Sequence, residues 1–190
     1  LVSMVLQSDI EKIRQKLEEL DRAALARAVD AIVSAKKIYI IGVRSSAALA
    51  SFLYFYFNLI FENVTLVSAS TASEIFESLL RVGPGDVVVG VSFPRYSSRT
   101  VQAMSFARDR GADTVAITDS EASPLAPICR HTLPARSDMA SFVDSLVAPL
   151  SLVNALLVAV SQRKNDELAR TFQTLEQIWE EYGVYEKVQE

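Results

Sequence analysis

This sequence has few of the residues on which several classes of protein depend. Of its 190 residues, one is a cysteine (Cys129) and one is a histidine (His131). A single cysteine excludes an internal disulfide and the multi-cysteine zinc patterns, and a single histidine gives little basis for a histidine metal site. We therefore expect no metal ion, no cofactor and a reducing compartment.

An excess of positive charge is also missing. The net charge is −4 and the sequence pI is about 5.2, so no overall basic field attracts nucleic acid. We expect that this chain alone does not bind DNA.

The sequence contains no apolar run that is long enough to cross a membrane. The longest run, residues 146–160, is interrupted by Pro149, Ser151 and Asn154, and a spanning helix needs about 20 apolar residues. The opening residues, Leu1 to Leu6, are too few for a signal peptide and lack a basic flank. We expect a soluble, cytoplasmic protein.

Glycine and proline are sparse, and no linker rich in Gly, Pro or Ser divides the chain. Instead, short Val- and Ile-rich runs alternate with segments of helical spacing, which is typical of a parallel sheet. The predicted strands are Ile38–Ile41, Val64–Val67, the Val-rich run at 87–91, Thr114–Thr118 and a short edge strand at Ile128–Leu133. The helices predicted between them are Ser46–Phe61, Ala72–Leu80 and Thr100–Arg110. The pattern predicts an α/β fold: a three-layer, doubly wound parallel sheet in flavodoxin-like order with right-handed crossovers.

Further helices are predicted at both ends of this core, so that one domain covers residues 1–190. A helical lead-in spans residues 8–35, where Ser8 and Glu11 fit a capping box and Asp21 caps a second helix. The α/β core spans 36–162 and ends with a long apolar helix from Met139, in which Pro149 marks a kink or a break. A final helix spans 165–182 and ends at Gly183.

Hydroxyl groups and arginines follow two of the predicted strands. Arg44, Ser45 and Ser46 come after the first strand, and the segment from Ser92 to Ser97 comes after the Val-rich strand. Because parallel strands end at the same edge of a sheet, both loops and the helix N-termini behind them should line one crevice, which suits an anion. The alternatives are that the serines only cap helices and that Arg44 and Arg95 form ordinary salt bridges. Tyr96 could likewise pack against the next helix, and Glu74 could be a solvated surface charge.

The two loops resemble the phosphosugar-binding loops of SIS (sugar isomerase) domains. Over roughly residues 20–160 the chain most resembles the effector-binding half of RpiR-type transcriptional regulators. The family's first loop reads G-x-G-x-S, and Gly42, Arg44 and Ser46 occupy those positions. Its second loop reads S-x-S-G-x-[ST], and the matching positions hold Ser92, Pro94, Arg95 and Ser97. Arginine thus replaces one glycine in each loop, and proline replaces a serine.

The resemblance implies that Ser46, Ser92 and Ser97 hydrogen-bond a phosphate, with Ser45 beside them. The expected ligand is a phosphorylated sugar or sugar acid. The predicted binding residues are Arg44, Ser45, Ser46, Glu74, Ser92, Arg95, Tyr96 and Ser97. The resemblance also implies that DNA is contacted only through an N-terminal helix-turn-helix domain absent from this chain, which begins at Leu1 and not at methionine.

The favoured function is therefore effector sensing without catalysis. The first alternative is an aldose–ketose isomerase, for which Glu74 is the best-placed carboxylate and His131 the only imidazole. The second is a dimerisation module with a vestigial pocket. A homodimer or tetramer is expected because the long apolar helix and the aromatic segment Phe52–Phe61 exceed what one sheet needs.

Overall fold

A computed structural model describes residues 1–67, 70–139 and 142–186 of the protein. Its centre is a sheet of five parallel strands. The strands are β1 (Ile38–Gly42), β2 (Val64–Leu66), β3 (Val87–Val91), β4 (Asp113–Thr118) and β5 (His131–Pro134). Their order across the sheet is β2-β1-β3-β4-β5, which confirms the predicted flavodoxin-like sheet.

Seven helices surround the sheet in the described part of the chain. They are α1 (Val2–Glu18), α2 (Arg22–Val33), α3 (Ser46–Ile60), α4 (Ala72–Ser78), α5 (Ser98–Asp109), α6 (Val147–Arg163) and α7 (Asn165–Tyr182). Strand side chains alternate between two cores. Ile38, Ile40 and Val89 pack with α2, α3 and α6, whereas Tyr39 and Val88 pack with α4 and α5 on the other face. The predicted three layers are thus confirmed, and most predicted elements agree with the structure within two residues.

The prediction that the first helix begins at Ser8 is wrong, because α1 begins at Val2. Ser8 lies inside the helix, and its hydroxyl accepts a hydrogen bond from Lys12 Nζ at 3.1 Å instead of capping the backbone. The capping-box spacing was present, but a serine can equally bond a side chain one turn on. The predicted cap of α2 is confirmed, since Asp21 Oδ1 accepts from the Ala24 amide at 2.9 Å.

The long helix predicted from Met139 is also wrong at its start, since α6 begins at Val147. Pro149 is therefore the third helical residue. In the first turn its missing N–H has no helical partner to lose, whereas deeper in a helix its ring would clash with the preceding turn. The helix is largely buried within this one chain, against α1, α2 and α3.

The last strand is shifted as well. β5 covers His131–Pro134 and not Ile128–Leu133, because the amides of Ile128 and Cys129 both bond the Leu125 carbonyl in a turn, at 3.1 and 2.9 Å. Burial of Cys129 in this turn raises the pKa of its thiol to about 12. Among the described helices, none is long and apolar enough to cross a membrane.

Candidate functional site

The two polar loops predicted from the sequence lie side by side. The first follows β1 and the second follows β3, and these strands are neighbours in which Gly42 pairs with Val91. Both loops therefore leave the same edge of the sheet and lead directly into helices, α3 and α5. This is the position at which open α/β sheets bind ligands.

Gly42 allows helix α3 to start directly against the sheet. A Cβ at this position would lie 2.6 Å from the Ser46 carbonyl oxygen and 2.9 Å from the Ala50 Cβ. Real Cβ atoms do not tolerate such distances, so only glycine fits. The close approach fixes the N-terminus of α3, and with it Ser45 and Ser46, at the strand end.

The three polar residues of the first loop differ in exposure. Ser46 is the first residue of α3 and is buried, whereas Ser45 and Arg44 are exposed. Ser45 stands at the N-cap without bonding a helix amide, and its hydroxyl donates instead to Asp144 Oδ2 at 2.9 Å. Arg44 has a φ of 59°, a left-handed conformation that glycine adopts more readily than arginine.

The second loop folds back on itself before α5. Ser92 is buried, and its Oγ accepts a hydrogen bond from the Ser97 amide at 3.3 Å. Ser97 is the N-cap of α5, but its hydroxyl makes no capping bond. The first amides of α5 are therefore not satisfied by that side chain, and such amides attract anions.

Tyr96 links this loop to the residue that follows β4 by a hydrogen bond. Its hydroxyl donates to Asp119 Oδ1 at 2.6 Å, and the same carboxylate accepts from Thr118 and Ser120. Partial burial, reinforced by this hydrogen bond, raises the pKa of Tyr96 to about 12, so the phenol is neutral at physiological pH. The Tyr96 hydroxyl is thus engaged by the protein in this structure.

The arginines at this edge are exposed and supply its positive charge. In the described part of the chain, neither Arg44 nor Arg95 forms an ion pair. The salt bridges considered as an alternative role for both are therefore not seen there. Arg99, in the first turn of α5, donates to the Ser70 carbonyl at 3.2 Å.

Glu74 caps the start of α4 and is not a fully solvated surface charge. Its carboxylate accepts from the Thr71 amide at 3.3 Å while its own amide donates to the Thr71 hydroxyl at 3.2 Å, which completes a capping box. Glu74 is partly buried one turn beyond Ser70.

A hollow of about 300 Å³ lies beside the first loop. Its lining residues are Gly42, Val43, Arg44, Ala47, Ser51, Leu66, Val67 and Ser70. Of the predicted binding residues, only Arg44 lines it; Ser92 and Ser97 do not. The hollow therefore opens on the β2 side of the first loop. The hydrogen bond between the Ser97 amide and Ser92 Oγ lies on the β3 side.

The remaining polar candidate, His131, lies away from the two loops. His131 begins β5, and its Nε2 lies 3.4 Å from Asp113 Oδ1 at the start of β4. His131 is level with Val115 in the middle of β4, its ring contacts Asp113 at the start of that strand, and β5 is three strands away from β1. The imidazole therefore lies away from the serine loops and is not placed to act there as a base. A larger hollow of about 570 Å³ lies near the start of β1, between α3 and α7. The described residues include no cluster of His, Cys, Asp and Glu that could hold a metal ion.

Two acidic residues next to the loops were missed by the sequence analysis. Asp119 directly follows β4, so its position after a strand was a usable signal. Asp144 fell inside a helix predicted too long, and its contact with Ser45 joins residues 99 positions apart. No local pattern indicates such a contact.

A comparison with known protein families matches residues 31–159 to the SIS domain. The chain belongs to the SIS domain family. The sugar isomerase domain of an RpiR transcription factor from Sphaerobacter thermophilus has the same fold, with a TM-score of 0.88 and 31% identity over 93% of this chain and 98% of that one. The predicted membership of the SIS family and the resemblance to RpiR-type regulators are thereby confirmed.

This SIS domain is also similar to HTH-type transcriptional regulators. HexR of Escherichia coli, an HTH-type regulator, is 28% identical over 91% of this chain. The Vibrio vulnificus NanR protein, solved in complex with ManNAc-6P, shares the fold with a TM-score of 0.81 and 22% identity over 94% of this chain and 68% of that one. The chain spans less than two thirds of the length of the curated HTH-type regulators it matches, including 62% of HexR.

Proposed function

We propose that this SIS domain binds a phosphorylated sugar or sugar acid and is the effector-sensing part of an RpiR-type transcriptional regulator. In this proposal DNA is bound by a helix-turn-helix domain outside the chain, and the SIS domain itself catalyses no reaction. The binding residues would be those predicted from the sequence, with Ser46, Ser92 and Ser97 nearest the phosphate.

One observation supports the proposal most directly: two helix N-termini that lack side-chain caps leave adjacent strands of the sheet. A helix N-terminus stabilises a nearby anion by about 0.3–2 kcal/mol. Each charge-assisted hydrogen bond adds about 1.5–3 kcal/mol. Several such contacts, each near the upper end of its range, would offset an association cost of at least about 4 kcal/mol and leave micromolar binding.

The charge of the loops favours a phosphate ester over a neutral sugar. Arg44 and Arg95 stand where the family pattern has glycine, and both guanidinium groups are exposed. Guanidinium binds phosphate oxygens in a bidentate fashion, so these substitutions would replace the ligand hydroxyl lost at Pro94. The bound ManNAc-6P of NanR, which shares the fold, is a ligand of this chemical class.

The first test is a thermal-shift screen followed by calorimetry. The panel would contain glucose 6-phosphate, fructose 6-phosphate, ribose 5-phosphate, ManNAc-6P and the sugar acid 6-phosphogluconate, with the unphosphorylated compounds as controls. We expect at least one phosphorylated member to raise the melting temperature and its parent sugar to have no effect. If no phosphorylated member binds, the proposal is wrong.

A matched pair of variants locates the site. Ser97→Ala should weaken binding by roughly 10-fold or more, because it removes a hydrogen bond to a charged group. Ser98→Ala, one residue further on and exposed, should leave affinity unchanged. Equal affinities for the two variants would contradict the assignment of Ser97.

The regulatory part of the proposal needs the full-length regulator. A gel-shift assay with and without the sugar phosphate identified by the screen should show a change in DNA affinity. Unchanged affinity at saturating ligand would argue against effector sensing even if the ligand binds.

A further inference from the structure

We propose that Asp144 is an internal competitor for the anion at the N-terminus of α3, and that its displacement by a bound phosphate is transmitted through Ser145 and Asp9 to helix α1. This inference rests on the proposed function, because it concerns how ligand binding at that site is regulated.

Asp144 already contacts the first residue of the anion site. Its Oδ2 accepts the hydrogen bond from the Ser45 hydroxyl at 2.9 Å, and Ser45 is the N-cap of α3. A carboxylate close to a helix N-terminus is stabilised by the same amides and dipole that stabilise a phosphate. The side chain therefore supplies a negative charge beside the position where the ligand's charge is expected.

A carboxylate and a phosphate dianion cannot share this position at low cost. At a separation near 4 Å and the intermediate dielectric of a protein surface, their repulsion exceeds what one neutral hydrogen bond contributes. Arg44, next to Ser45, would attract either anion and so does not decide between them. A bound phosphate should therefore break the contact between Ser45 and Asp144.

The next residue connects Asp144 to α1. Ser145 Oγ donates to Asp9 Oδ1 at 2.7 Å. Asp9 in turn lies 3.6 Å from the ammonium group of Lys12, which is only 6% exposed and also donates to Ser8 at 3.1 Å. Because Lys12 is buried, its contact with Asp9 restricts the movement of the Asp9 side chain. A shift of Ser145 should therefore move helix α1 as a whole.

The same loop is tied to α1 at a second place. Arg136, just after β5, donates to Gln15 Oε1 at 3.0 Å. Residue 136 thus contacts α1 near residue 15, whereas residues 144 and 145 contact the anion site and α1 near residue 9. When a ligand displaces Asp144, residues 142–146 and α1 should move or loosen together.

The competition is tested by Asp144→Asn, which keeps an acceptor for Ser45 but removes the charge. Calorimetry with inorganic phosphate and with ManNAc-6P should show at least about 5-fold tighter binding than the wild type. Asp138→Asn is the matched control, because Asp138 lies on the same segment but pairs with Arg136 at 2.9 Å. Its affinity should equal that of the wild type.

The outcomes separate this inference from the proposed function. If the wild type binds ManNAc-6P or another phosphorylated sugar of the screening panel while Asp144→Asn binds it equally or more weakly, the competition is overturned and the proposed function stands. If neither protein binds any phosphorylated sugar of the panel, the proposed function fails and this inference fails with it.

The transmission to α1 is tested by hydrogen exchange. With inorganic phosphate or the tightest-binding sugar phosphate of the panel, amides of residues 2–18 should exchange at a different rate from those of the free wild type. Ser145→Ala should remove this ligand-dependent change while leaving affinity within about twofold. Ser161→Ala, near the C-terminal end of α6, should retain the change. If Ser145→Ala shows the same change as the wild type, the proposed connection is wrong.

Discussion

Arg44 combines a charge that the proposed site would use with a backbone conformation that weakens the fold. Its φ of 59° is a conformation that costs a non-glycine residue about 1–2 kcal/mol. The family pattern has glycine here, for which this backbone is unstrained. The sequence predicted the extra charge, but the backbone strain became visible only in the structure.

Two substitutions at this position separate the strain from the charge. Arg44→Gly should raise the free energy of unfolding by about 1 kcal/mol relative to Arg44→Ala, because only the first relieves the left-handed backbone. Both variants lose the guanidinium and should bind a phosphorylated sugar more weakly, by a similar factor. Urea denaturation and calorimetry measure the two effects, and equal stabilities would show that the loop relaxes without strain.

Side-chain partners at this scale were only partly predictable. The positions of Arg44, Ser46, Ser92 and Ser97 at the strand ends follow from the sequence, since residues after a buried Val or Ile run must leave the sheet at one edge. The partner of Tyr96 lies 23 residues away and that of Ser45 lies 99 residues away. Such contacts depend on tertiary packing, which local pattern does not contain.

At the scale of elements, the site depends on the packing of α3 against β1. Gly42→Ala should destabilise the protein by about 1–3 kcal/mol, because the added Cβ overlaps backbone of α3 and the helix must move away. The movement would displace Ser45 and Ser46, so ligand affinity should fall as well. Thermal or urea unfolding and calorimetry measure both.

Gly83→Ala is the control for this prediction. Among the described residues, a Cβ at Gly83 would meet only the Arg110 carbonyl oxygen, at 3.9 Å, which is an ordinary contact. We expect a change within about 0.5 kcal/mol of the wild type, as for most substitutions that overlap nothing. If Gly42→Ala is as stable as this control, the close approach of α3 does not hold the site.

The elements themselves were predictable to the extent that burial imposes a pattern. Buried runs such as Val87–Val91 and the helical spacing behind them gave the alternating core, since each must bury a defined face. The starts of α1 and α6 were not predictable. The capping-box spacing at Ser8 was compatible with a helix start there, and the apolar run before Val147 was compatible with an earlier start of α6. Contacts with other elements determine where both helices begin.

At the scale of the whole molecule, the exposed apolar side chains include a pair of aromatic rings on α3 that suits contact with a second copy. The long apolar helix α6, one of the two reasons for expecting an oligomer, gives that expectation little support, because most of its apolar side chains are buried within this chain. The aromatic segment of α3 is divided: Phe57 is buried, whereas Phe55 is 59% exposed and Tyr56 is 40% exposed. These two adjacent rings are in edge-to-face contact at 5.1 Å and form an apolar patch that no other described element covers.

We therefore predict a homodimer or tetramer that uses the Phe55–Tyr56 patch of α3. Sedimentation velocity at about 10 µM should give at least twice the chain mass of 20.9 kDa, since burying exposed aromatic side chains is strongly favourable. The double substitution Phe55→Ser with Tyr56→Ser should shift the mass toward that of one chain. Phe172→Ser on α7, where the ring is 36% exposed, is the comparison and should leave the assembly intact. A monodisperse wild-type monomer would contradict the prediction of an oligomer, and dissociation by Phe172→Ser alone would move the interface from α3 to α7.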